Sequence, residues 1–106
     1  MRERFVDTHC QRLPGAERTE PFGPGTVVWK VEGHMFAAYS IGGHGLSLRM
    51  MDAKATTRMV EQGRAAPHFL EDEGGWVLLP WETHPDELRA HLELSYRLVL
   101  FDGNRA

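Results

Sequence analysis

The chain predicts an α+β domain of two layers, an antiparallel sheet of about four or more strands packed by helices. Three stretches carry that prediction. Residues 26–38 are two apolar, β-prone runs joined by Glu32-Gly33. Leu46-Ser47-Leu48-Arg49-Met50 alternates apolar and polar residues with a period of two. Leu88, His91, Leu92, Ser95 and Val99 recur at helical intervals. Strand pairs and amphipathic helices in one short chain bury their apolar sides against each other, which is the two-layer arrangement.

In chain order, Phe5, Val6, His9, Cys10 and Leu13 fall near one face of a helix over residues 2–12, and Pro14-Gly15 stops it. Residues 14–25 hold three prolines and three glycines and read as a loop. The hairpin follows, its tight turn using glycine for a positive φ. A two-residue turn sets Val31 across from His34, Trp29 from Phe36 and Val27 from Ala38 on the core side. Val28, Lys30, Met35, Ala37 and Tyr39 then share the other face. Gly42-Gly43-His44 turns the chain into the strand over 46–50, with Leu46, Leu48 and Met50 pointing in.

Asp52 is the expected N-cap of a middle helix over 53–62, stopped by Gly63. Its inward residues are Ala55, Met59 and Val60, and Lys54, Arg58 and Glu61 lie nearer solvent. An acidic turn, Glu71-Asp72-Glu73-Gly74-Gly75, precedes a strand over 76–80. Thr83-His84-Pro85-Asp86 starts the long C-terminal helix in the manner of a capping box. Arg89, Glu93 and Arg97 line its opposite side at spacings of four.

The 106 residues make one domain, 1–106, with ordinary globular composition. No apolar run reaches the roughly 20 residues that cross a bilayer, so no membrane association is expected. The N-terminus has no apolar segment of a secretory signal, and the single Cys10 has no partner for an internal disulfide. Both lead to the expectation of a cytoplasmic protein. The net charge of −3 is uneven. Residues 26–68 carry five Lys and Arg against three acids, residues 69–106 three against eight, and residues 1–25 four of each. The basic middle permits a directed surface on an otherwise acidic chain.

Catalytic signatures are absent. There is no Gly-x-Ser-x-Gly, no phosphate-binding Gly-x-x-x-x-Gly-Lys and no Cys-x-x-Cys. Gly42-Gly43-His44-Gly45 joins two strands, without the helix N-terminus that makes such loops cradle phosphate. Six histidines (His9, His34, His44, His68, His84 and His91) show no close ligand pairing. Glu71-Asp72-Glu73 lacks the spacing of a calcium loop. The expectation is no enzyme, no metal and no cofactor. Trp29, Phe36, Trp76 and Tyr96 read as core. Tyr39 and Trp81 are open either to the core or to a stacking surface for a base or small ligand.

The order and spacing of several pieces resemble the MmcQ/YjbR family of small bacterial proteins. They are Leu13-Pro14-Gly15-Ala16-Glu17, Pro21-Phe22-Gly23, Lys30-Val31, Met35-Phe36-Ala37, Leu46-Ser47-Leu48-Arg49, Ala66-Pro67-His68, Trp76, Pro85-Asp86-Glu87-Leu88 and Ser95-Tyr96. The resemblance implies a CyaY-like α+β fold and a DNA-binding protein whose two hairpins, with turns at Glu32-Gly33 and Gly42-His44, act as wings on double-stranded DNA. The implied contacts, mainly to the phosphate backbone, come from Lys30, His34, Arg49, Lys54, Arg58, Arg64 and His68. His34 stands where the family usually has lysine, and Glu71-Asp72-Glu73 where it tends to be basic or polar. The alternative is a protein-interaction or small-ligand module on the same fold, its binding surface the mixed face of the sheet, without nucleic-acid binding. The oligomeric state is not written in the chain.

Overall fold

The computed structural model describes residues 2–50, 53–63, 66–67 and 76–105. Asp52, the acidic turn Glu71-Asp72-Glu73, Arg64 and His68 lie outside them. Three helices, α1 (Arg2–Cys10), α2 (Ala53–Glu61) and α3 (Pro85–Arg105), accompany six strands: β1 (Ala16–Thr19), β2 (Thr26–Val31), β3 (His34–Ser40), β4 (Gly45–Arg49), β5 (Ala66–Pro67) and β6 (Trp76–Pro80). All six form one sheet in the order β1-β2-β3-β4-β6-β5, with every neighbouring pair antiparallel.

The β2–β3 turn has positive φ at both central residues, 53° at Glu32 and 80° at Gly33. That pair of angles marks the turn whose twist matches the flanking strands. Val31 faces His34 as expected, but the ladder then slips between Lys30 and Trp29. Lys30 pairs with Met35 and Trp29 with Ala37, so Phe36 is the extra residue of a β-bulge. One inserted residue reverses the face of everything beyond it. Val27 therefore lies opposite Tyr39, Ala37 and Tyr39 turn into the core, and Ala38 turns out. The expected pairings of Trp29 with Phe36 and Val27 with Ala38 are corrected by that bulge.

The span 14–25, expected as a loop throughout, contains the edge strand β1, paired along its length with β2. The second edge, β5, is two residues long and pairs with β6. Short, polar or Pro-bearing edges resist sheet-to-sheet association.

One apolar cluster holds the layers together. It takes Val6 and Cys10 from α1, Met59 from α2, and Leu88, Leu92, Tyr96 and Val99 from α3. From the sheet it takes Val27, Trp29, Val31, Ala37, Tyr39, Leu46, Leu48, Val77 and Leu79, all on one face. Each fully buried Leu or Val contributes about 1.5–3 kcal/mol of transfer free energy. The opposite face carries Val28, Lys30, Ala38, Ser47, Arg49 and Trp76. Trp76 is buried, but on this second face and outside the main cluster.

Ser95, fully buried on α3, stitches the bulge to the next strand. Its hydroxyl donates to the Phe36 carbonyl (2.6 Å) and accepts from the Arg49 amide (3.0 Å). The β3–β4 ladder itself pairs only Ala37 with Leu48 and Ala38 with Ser47. A side-chain hydroxyl thus bridges the two strands next to the last β3–β4 pair, Ala37 with Leu48.

The start of α3 also differs from expectation. Pro85 occupies the first helical position, and His84 caps it, its Nδ1 accepting the Asp86 amide at 3.1 Å. Proline suits that position because its missing N–H would have no helical partner there. Asp86 and Glu87 in the first turn complement the helix dipole.

Candidate nucleic-acid interface

The register decides where the basic residues sit. Lys30 on β2 and Arg49 on β4 share the face opposite the core cluster, separated by β3, about 10 Å between their backbones. Both are half-buried, and Lys30 lies directly across from Glu17 of the edge strand. His34 is exposed beside the Glu32-Gly33 turn. The chain leaves β4 at Arg49 and enters α2 at Ala53, which puts Lys54 in the first turn of α2 at this same end.

Lys54 and Arg58 stand four apart on α2, so they share a face of the helix. With Thr57 and Glu61, all exposed, they line a shallow groove of about 400 Å³. Among the described residues neither Lys54 nor Arg58 has an ion-pair partner. Three arginines elsewhere are already matched by carboxylates. Arg18 pairs with Asp7 at 3.4 Å and Glu20 at 3.7 Å, Arg89 with Asp86 at 3.3 Å, and Arg97 with Glu93 at 3.7 Å. Arg64 and His68 fall outside the described residues.

The turns expected as wings, Glu32-Gly33 and Gly42-His44, cap opposite ends of β3, roughly 20 Å apart. A partner touching both must lie along the strand direction. The β1–β2 connection shares an end with Gly42-His44, tied to it by the Ile41 amide donating to Gly25 O at 2.7 Å.

The remaining candidates take structural roles. Tyr39 is buried and meets Trp81 edge-to-face at 5.9 Å between centroids, and the Trp81 indole donates to Gly43 O at 3.1 Å. The two rings pack with each other and against the core. His9 lies 3.1 Å from Glu93, joining α1 to α3, and His91 lies 3.8 Å from Glu87. Among the described residues no group of three or more His, Cys, Asp or Glu can hold a metal ion, and no helix is long and apolar enough to cross a membrane. Cys10 is fully buried, and burial, reinforced by the Asp7 charge, pushes its thiol pKa up, away from reactivity.

Asp7 is the functional-looking residue that sequence reasoning passed over. Its carboxylate accepts from Trp29 Nε1 (2.9 Å), from the Tyr39 hydroxyl (2.8 Å to both oxygens) and from Arg18 Nε (3.4 Å). Burial and the bond to Asp7 raise the Tyr39 phenol to about 12. Hydrogen bonding to Tyr39 raises Arg18. The available signal was an acid three residues before Cys10, at the edge of the apolar stripe of α1.

A family model described as YjbR matches residues 11–98. The fold is similar to the crystal structure of Deinococcus radiodurans protein DR2400, of domain family DUF419. The two share 27% identity with a TM-score of 0.77, over 92% of this chain and 77% of that one. No curated protein matches this chain significantly.

Proposed function

The chain belongs to the YjbR family, and on that premise we propose that it binds double-stranded DNA in the cytoplasm, as a binding protein and not an enzyme. The reading is carried by the α2 groove, where Lys54 and Arg58 are exposed with no carboxylate partner among the described residues and Thr57 adds a hydroxyl between them. His34, Lys30 and Arg49 extend the positive region around the same end of the sheet. Such contacts reach phosphate oxygens and confer position and affinity, without reading base sequence.

A fluorescence-anisotropy titration with a labelled random-sequence duplex at about 50 mM salt tests it, because each neutralised phosphate adds about 0.9 to the salt slope. Wild type binds in the micromolar range, and affinity falls as salt rises. Replacing both Lys54 and Arg58 by Gln lowers the slope by about 2. Absence of binding at tens of micromolar, or a slope unchanged in the double variant, refutes the proposal. The net charge of −3 favours a second reading, a protein- or ligand-binding module. A partner whose binding is indifferent to competing duplex supports that one.

A further inference from the structure

Helix α3 carries two apolar stripes. The first, Leu88, Leu92, Tyr96 and Val99, is buried in the core cluster. The second, Ala90, Leu94, Leu98 and Phe101, recurs at spacings of four, four and three on the side turned away from that cluster. Leu94 is 37% and Phe101 66% exposed, Ala90 is exposed and Leu98 half-buried. We propose that this second stripe is the contact between two copies of the chain, whose α3 helices pair antiparallel about a two-fold axis.

The stripe fits itself in that direction. When Phe101 of one copy stands across from Ala90 of the other, Leu94 stands across from Leu98 and Arg97 across from Glu93, all within about one residue of a single register. The bulkiest side chain meets the smallest, leucine meets leucine, and opposite charges meet at the edge of the stripe. Arg97 and Glu93 already approach to 3.7 Å within each helix, and the Arg97 side chain is 65% exposed. The two-fold axis doubles that pair, so that each arginine lies between carboxylates of both copies. A parallel pairing would instead set Phe101 on Phe101 and Arg97 on Arg97, like charge on like.

Polyanionic occupants fit the charge poorly. Asp86, Glu87 and Glu93 lie on the same helix, in the acidic last third of the chain, and repel nucleic acid and anionic lipid headgroups alike. A continuous exposed apolar surface over about three helical turns is of the kind that marks an interface between proteins. One helix pair of that length covers less than the roughly 1,600 Å² of a standard complex, so the dimer dissociates in the micromolar range. The stripe shares no residue with the α2 groove, and its test is independent of duplex binding.

The test is sedimentation velocity of the full chain from about 5 to 500 µM, which should show a reversible monomer–dimer equilibrium. Ala90→Phe enlarges the exposed apolar surface, so a merely adhesive face would associate more tightly. In the register proposed, its ring collides with Phe101 of the other copy and weakens the dimer about tenfold or more. Phe101→Ala weakens it at least as much, because both rings leave the contact. The two substitutions together exchange the large and the small residue and restore the dimer to within about threefold of wild type. In a mixture of ¹³C-labelled and unlabelled chains, isotope-filtered NOEs should join the Phe101 ring to the Ala90 methyl. Within one helix those groups are about 16 Å apart, too far for that signal. A monomer at about 500 µM, association unchanged or tightened by Ala90→Phe, an exchange variant no better than its parents, or a dimer lacking the Phe101–Ala90 signal overturns the proposal. Binding to phosphatidylcholine vesicles by a chain that stays monomeric assigns the stripe to a lipid surface and overturns it as well.

Discussion

Replacing Ser95 by Ala removes one oxygen atom from a fully buried site and breaks two hydrogen bonds, to Phe36 O and from Arg49 N. The size of the loss follows from what is left behind. At the bulge, Phe36 and Arg49 have no rung to each other in the β3–β4 ladder. Alanine therefore leaves a buried carbonyl and a partly buried amide unsatisfied. Each such group costs about 1–3 kcal/mol, giving about 2–4 kcal/mol in total after partial relaxation. Against a stability of about 5–15 kcal/mol for a domain, this is a severe change for a single atom. Urea denaturation followed by tryptophan fluorescence reads it as a lower midpoint at constant m. Amide exchange at Arg49 accelerates beyond the global change, because its acceptor is gone. Ser95→Cys, close in volume but a weak hydrogen-bonding group, falls between wild type and alanine. A loss under about 0.5 kcal/mol for Ser95→Ala shows the hydroxyl to be a passenger and removes this account of the bulge.

Two further changes probe the packing and the Asp7 cluster. A Cβ at Gly45 runs into the Leu79 carbonyl and meets Pro80 Cα at 3.0 Å, both of them backbone atoms. Gly45→Ala thus forces β4 and β6 apart and lowers stability by about 2–3 kcal/mol or more in a urea melt. A near-neutral result would mean that the β4–β6 pairing at Pro80 yields freely. Tyr39 titrates near 10.0 when unfolded and at about 12 when folded, so its neutral form is the one the fold favours. Its contribution is complete below pH 10 and is lost as pH rises through about 12. The stability difference between wild type and Tyr39→Phe, measured by urea melts from about pH 8 to 12, shifts in favour of the Phe variant across that window. Parallel curves would show that neither burial nor the half-buried Asp7 contact raises the phenol.

Local patterns carried much of the fold. The Glu32-Gly33 turn, the alternation over Leu46–Met50 and the Leu88–Leu92–Val99 stripe each depend on neighbours within a few residues, and each stands where the sequence put it. The edge strand β1 was not legible because Ala16-Glu17-Arg18-Thr19 has no apolar alternation and is held by pairing with β2. The bulge at Phe36 was equally silent, since apolar residues continue on both sides of it and its carbonyl is met by Ser95, 59 residues away on α3. At the candidate interface, sequence named Lys54 and Arg58 but not which cations were already matched by carboxylates.

Periodicity and turn chemistry, being local, settle which segments are helix or strand and which side of most of them is apolar. Register, edge pairing and the partners of charged groups join residues far apart in the chain, such as Asp7 with Trp29 and Tyr39, or Ser95 with Phe36 and Arg49. Those are decided only when the layers close, because the competing arrangements differ in long-range packing and in hydrogen bonds that no short window of residues contains.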